Sequence, residues 1–153
     1  MVEPELRELY QEMILEHSKK PRNFQVLAHA NHTAEGFNPL CGDKFKLYLQ
    51  IEGDTIKDLG FQGSGCAISK ASASMMTASV KGKTKAGAQA LFGEFHKMLS
   101  GLPGTKFDES KLGKLSVFSG VSEFPVRVKC ATLAWHTLRA GMDSDGKVVS
   151  TEE

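Results

Sequence analysis

Three cysteines, Cys41, Cys66 and Cys130, and the carboxylate of Asp43 are the side chains of this sequence best suited to hold a soft metal ion or to carry sulfur chemistry. Cys41 and Asp43 flank Gly42. In an extended segment residues two apart share a face, so both can address one ion while the glycine relieves crowding between them. Cys66 follows Gly63-Ser64-Gly65 and opens a helix-like run. There, free backbone N–H groups and the helix dipole lower a thiol's pKa. Cys130 stands near the start of the last helical run, just after Arg127 and Lys129, two cations that favour a thiolate. All three cysteines therefore read as lying at element ends. If those ends converge, three sulfurs and a carboxylate make a tetrahedral site suited to Zn²⁺, with Zn–S distances of about 2.3 Å. The ligands outweigh the ion's charge, and Arg127, Lys129 and Lys44 are candidates to offset the excess. The gaps are irregular and contain no CxxC pair, and a free cysteine is often simply a small buried hydrophobe. From spacing alone, a metal site and three unrelated thiols both stay open.

Other chemistry-bearing residues read differently. His136 is six residues after Cys130, about 600° around an ideal helix, and so points to the opposite side. His17 and His96 fall on helical faces as packing or surface residues. His29 and His32 precede the Cys41 loop, but nothing local requires either as a ligand, and no Cys/His catalytic pair is supported. Met75-Met76 reads as core, and Lys81, Lys83 and Lys85 as a solvated turn or part of a docking face. Gly63-Ser64-Gly65 lacks the Lys-Thr that follows in a P-loop, which argues against nucleotide binding.

The elements that must position these residues follow from periodicity. Leu6, Leu9, Tyr10, Met13, Ile14 and His17 recur at helical spacing over about Glu5 to Lys19, with Pro21 as the stop. Phe45, Leu47, Leu49 and Ile51 alternate with Lys44, Lys46, Tyr48 and Gln50, the pattern of a half-buried strand. Gly53-Asp54 turns it into a second strand, Ile56 to Phe61, and about Thr33 to Phe37 adds a weaker third. An Ala/Ser-rich helix then runs from Cys66 to Val80. Thr84 caps another that reaches about Ser100 and ends at Gly101-Leu102-Pro103-Gly104. A short element spans about Leu112 to Phe118, and Pro125 opens a last helix to about Ala140. The expectation is one α+β domain over residues 1–153, with a small antiparallel sheet of about three strands packed with helices and a flexible tail over 143–153.

The whole composition narrows the function. The 153 residues are 41% hydrophobic and 24% charged, and at this length about 68–70% of the unfolded surface can be buried without disulfide staples. A formal net charge of +1 lacks the excess on which sequence-independent nucleic-acid binding rests. Lys70 interrupts the best apolar stretch, Leu59 to Val80, so no membrane span is expected. The acidic, amphipathic N-terminus is unlike a signal peptide, and the odd cysteine count argues against a disulfide framework. The expected location is the cytoplasm.

A resemblance covers nearly the whole chain. GFNPLCGD from Gly36 to Asp43, GFQGSGCAISKASASMM from Gly60 to Met76, FPVRVKCATLAW from Phe124 to Trp135 and LYQEMILEHSKKPRN from Leu9 to Asn23 resemble the U-type (SufU/IscU/NifU-like) iron-sulfur cluster assembly proteins. The long interval between Cys66 and Cys130 is similar to the SufU branch. IscU-type scaffolds carry a His before the third cysteine, where this chain has Lys129. The resemblance implies a SufE/NifU-like fold and a zinc-dependent sulfurtransferase, a sulfur carrier rather than a small-molecule turnover enzyme. It implies that Cys41, Asp43, Cys66 and Cys130 bind zinc. It also implies that Cys41 accepts persulfide sulfur from a SufS-like cysteine desulfurase, whose histidine takes its place on zinc, and passes the sulfur to the downstream assembly machinery. Asp43, as a hard ligand, would make that exchange easier. Arg127 reads either as a partner of Asp43 or Cys41 in the resting state or as a solvated residue at the helix start. The alternatives are a scaffold binding a transient iron-sulfur cluster at the same ligands, and a structural zinc protein with no reactive thiol.

Overall fold

The computed structural model describes residues 4–39, 42–100, 109–143 and 147–150. Helix α1 (Pro4–Lys19) leads into strands β1 (His32–Asn38), β2 (Asp43–Glu52) and β3 (Thr55–Ser64). Helices α2 (Ala67–Val80), α3 (Lys85–Ser100) and the single turn α4 (Glu109–Leu112) follow. A 3₁₀ segment (Gly113–Glu123), helix α5 (Pro125–Asp143) and strand β4 (Lys147–Ser150) complete the order. The sheet order is β3-β2-β1-β4. The α+β class and the antiparallel β1–β3 meander agree with the sequence expectation. Among the described residues, no helix is long and apolar enough to cross a membrane.

Alternation in β2 does most to orient the fold. Asp43, Phe45, Leu47, Leu49 and Ile51 are buried while Lys44 and Lys46 are exposed, so the sheet has one covered face and one open face. Leu49, Leu59 and Phe61 are fully buried on the covered side. Helix α5 crosses β1 closely, because Gly36 has no Cβ where one would meet Thr137 Oγ1 at 2.0 Å. Small residues let α2 sit deep between its neighbours: Ala71, Ser72, Ala73 and Ser74 are all buried, as are Met75 and Met76. The Ser72 hydroxyl donates to the Ala131 carbonyl, tying α2 to α5 one residue beyond Cys130. Phe92 and Phe95 of α3 stack on the fully buried Trp135 of α5.

Register decides what meets at one end of the sheet. Asn38 pairs with Asp43 across β1 and β2, and Lys44 pairs with Ser64 across β2 and β3. The end of β1, the start of β2 and the end of β3 are therefore level, and Cys66 follows directly on that edge.

One stretch departs from the sequence reading. The tail was expected to be flexible, yet residues 147–150 pair in parallel with β1, from Ala34↔Lys147 to Phe37↔Ser150. The outer edge of β1 offers unpaired backbone groups, and Val148-Val149 is a short β-forming pair that can take them up. Residues 101–104, read as a helix stop, lie outside the described residues.

Candidate metal centre

Asp43, Cys66 and Cys130 converge. One ligand atom from each lies within 4.8 Å of the others. Cys66 is the N-cap of α2, and its sulfur accepts the Ser69 N–H at 3.4 Å. Its own N–H donates to Asp43 Oδ1 at 2.8 Å, while Asp43 Oδ2 lies 3.8 Å from Cys66 Sγ. The carboxylate thus divides its work: one oxygen is fixed by backbone and the other faces the thiols. Cys130 is buried in α5, and the Asn38 side-chain amide donates to its sulfur at 3.6 Å.

Electrostatics favour a thiolate. The Cys66 thiol is lowered from 9.0 to about 6, chiefly by a hydrogen bond from Cys130 and also by the Ser69 and Ile68 N–H groups. Burial and the negative charge of Asp43 oppose this. A buried carboxylate beside two thiols, one of them readily ionised, is a donor set that suits zinc. Two further observations fit an ion there. Gly65 leaves room where a Cβ would fall 2.6 Å from Ser69 Oγ and 2.9 Å from Asp43 Oδ1. Ser69 Oγ itself is buried with no hydrogen-bond partner among the described residues, although it stands beside this carboxylate.

Several expectations need correction. Gly42 adopts φ +73° in the β1–β2 turn, with its N–H donating to Asn38 O at 2.8 Å. The residue immediately before Asp43 therefore stands in a turn rather than in extended chain. Cys41 itself lies outside the described residues. Cys130 is not at an element end: it sits in the second turn of α5 and is only 2% exposed. Arg127 is exposed and stacks on the Phe124 ring at 5.3 Å, a cation–π contact, rather than pairing with Asp43. Lys129 is half-buried, and Lys44 is exposed on the face of β2 opposite Asp43. No histidine joins the cluster among the described residues. His136 packs against Phe92, and His17 Nδ1 lies 2.7 Å from Ser74 Oγ.

Sequence reasoning missed Asn38, Gly65 and Ser69. A signal existed for each within the quoted motifs. Asn38 precedes Pro39 in the first, and Gly65 and Ser69 bracket Cys66 in the second.

Residues 9–131 match the model of the NifU-like N-terminal domain. The chain belongs to that family. As a NifU-like domain it is 42% identical over 135 residues to the zinc-dependent sulfurtransferase SufU of Bacillus subtilis, covering 88% of this chain and 89% of that protein. It is 40% identical to the iron-sulfur cluster assembly scaffold protein IscU of Streptococcus pyogenes, over 88% of this chain and 82% of the relative. Among solved structures it resembles a candidate iron-sulfur cluster assembly scaffold protein for the SUF system from Fervidobacterium islandicum. The TM-score is 0.82 at 38% identity, covering 89% of this chain and 98% of the other. A NifU-like protein from Brucella abortus shares the fold at TM-score 0.80 and 22% identity, over 90% and 94% of the two chains.

Proposed function

We propose that this NifU-like domain acts in iron-sulfur cluster assembly as a zinc-dependent sulfurtransferase, accepting sulfur from a cysteine desulfurase. The observation that carries the reading is the buried Asp43 carboxylate gathered with Cys66 and Cys130 within 4.8 Å. Its likeness to the sulfurtransferase SufU supports it further. Asp43, Cys66 and Cys130 would hold zinc together with Cys41, which precedes Asp43 by two residues. Bound there, zinc supplies a Lewis-acidic centre that keeps its thiols deprotonated at neutral pH.

The chain's own residues then have distinct tasks. Asp43 Oδ1 and the Cys66 N–H lock the start of β2 to the start of α2, so the carboxylate and the thiol keep one geometry. The buried Cys130 anchors the site from α5. Cys41 is the acceptor. Its thiolate attacks the outer sulfur of the desulfurase's cysteine persulfide, a new S–S bond forms on Cys41, and the partner's own S–S bond breaks to release its thiolate. The exchange is redox-neutral overall, and the sulfur is then passed to the assembly machinery. The exposed apolar side chains Phe37 of β1, Phe124 just before α5 and Val126 at its start flank the elements that carry Asn38 and Cys130, and offer the desulfurase a contact surface.

A second reading, a scaffold on which a transient cluster is built, is favoured by the IscU relatives at 40% and 38% identity. Metal content of the purified protein and of Cys41→Ser, with turnover of a cognate desulfurase, tests both. The sulfurtransferase reading expects about one zinc per chain and stimulated turnover that Cys41→Ser abolishes. A labile iron-sulfur chromophore would favour the scaffold, and unchanged turnover with Cys41→Ser would leave a purely structural zinc site.

A further inference from the structure

We propose that Asn38 is a positioning residue that holds Cys130 as the permanent anchor of the metal and so keeps sulfur loading away from it. The inference deepens the sulfurtransferase reading and rests on it. Asn38 is fully buried at the last position of β1, where its cross-strand partner is Asp43. Its amide nitrogen, 3.6 Å from Cys130 Sγ, approaches the sulfur from the sheet while α5 supplies the sulfur from above. Asn38 therefore touches one ligand and is paired by register with a second.

The chemistry gives this contact a role. Cys130 is 2% exposed, so when it serves as a thiolate ligand its negative charge has little water to solvate it. The nearest cation in sequence, Lys129, points elsewhere on the helix surface by the helical step, and Arg127 is engaged with Phe124. The Asn38 amide is a donor already in place. A hydrogen bond to a metal thiolate withdraws electron density from sulfur, fixes the ligand's orientation and lowers its nucleophilicity. Cys66, by contrast, is exposed, and its sulfur is met by Cys130 itself and by the backbone N–H groups of Ser69, at 3.4 Å, and Ile68. Burial together with the Asn38 amide at Cys130, against exposure at Cys66, separates a ligand that stays from ligands that can exchange.

The test uses the full chain with Asn38→Leu, which cannot donate, and Asn38→Asp, which cannot donate while ionised, both close in size to Asn. The control is Asn31→Ala, which removes a side chain bonded to both the N–H and C=O of Ile51, within the sheet and outside the cluster. Co²⁺-loaded protein reports directly on the sulfurs. Loss of the donor should move the thiolate-to-cobalt charge-transfer band to lower energy in both Asn38 variants and leave it in place in Asn31→Ala. Zinc retention against a chelator should fall about 10–100-fold in the Asn38 variants. Mass mapping after reaction with desulfurase and cysteine should find persulfide on Cys130 only in those variants. An unmoved cobalt band in an Asn38 variant that folds, or a band moved equally by Asn31→Ala, overturns the inference while leaving the sulfurtransferase reading intact. A wild-type protein that holds no metal overturns both. If Asn38→Asp fails to fold because it buries a charge, Asn38→Leu decides alone.

Discussion

At Gly65 a single hydrogen atom decides whether the site can close. A Cβ there would stand 2.6 Å from Ser69 Oγ and 2.9 Å from Asp43 Oδ1, distances that side chains do not tolerate without shifting. Gly65→Ala is therefore expected to displace the carboxylate and lower zinc affinity by about tenfold or more, with the fold retained. Metal analysis and circular dichroism on the same sample check this. The Cys66 thiol carries a second residue-level prediction. Held at about 6 chiefly by the hydrogen bond from Cys130, it is a thiolate above that pH and loses its reactivity as the pH falls through it. In zinc-free protein, the rate of alkylation at Cys66 should reach half its plateau near pH 6. Cys130→Ala should move that midpoint upward toward the ordinary 9.0. A midpoint that ignores Cys130 would show that another group sets the acidity. Part of this was legible in the sequence: the alternation Phe45, Leu47, Leu49, Ile51, stepped back by two, puts Asp43 on the covered face. A carboxylate in the place of a core residue is a signal for a ligand.

Helices α2 and α3 owe their starts to different caps. The sulfur of Cys66 caps α2 and the hydroxyl of Thr84 caps α3, accepting the Gly87 N–H at 3.0 Å. Thr84 is exposed and far in sequence from the cluster, so Thr84→Ala should cost about 1 kcal/mol of stability and leave zinc content unchanged. Thermal unfolding alongside metal analysis measures both. The Thr84 cap, the Pro21 stop and the Gly53-Asp54 turn could be read directly, because capping and turn formation depend on residues a few positions apart. The β4 pairing could not. Two valines in a polar tail become a strand only because β1 presents an open edge beside them, and that edge is set by residues more than a hundred positions earlier.

Across the whole molecule, two histidines couple helix packing to pH. His17 of α1 meets Ser74 of α2, and His136 of α5 meets Phe92 of α3; burial is the main cause that lowers both below the ordinary 6.5. A group that protonates less readily when folded lets the unfolded chain take up protons first, so stability is lost as the pH drops through 6.5. The lowered Cys66 thiol acts in the same direction at higher pH. The zinc-free protein should therefore melt at a lower temperature at pH 5.5 than at pH 7.5, and the gap should narrow in His136→Gln. Equal melting temperatures at the two pH values would contradict the assignment. The sequence by itself determined the helices, the three-stranded meander and which four side chains had the chemistry for a metal, because periodicity, capping and donor type are local properties. Only the tertiary structure decided that Asp43, Cys66 and Cys130 share one centre, that Cys130 is buried against Asn38, and that Arg127 turns to Phe124. Strand register and helix crossing are fixed by packing between segments distant along the chain, and that packing has no local signature.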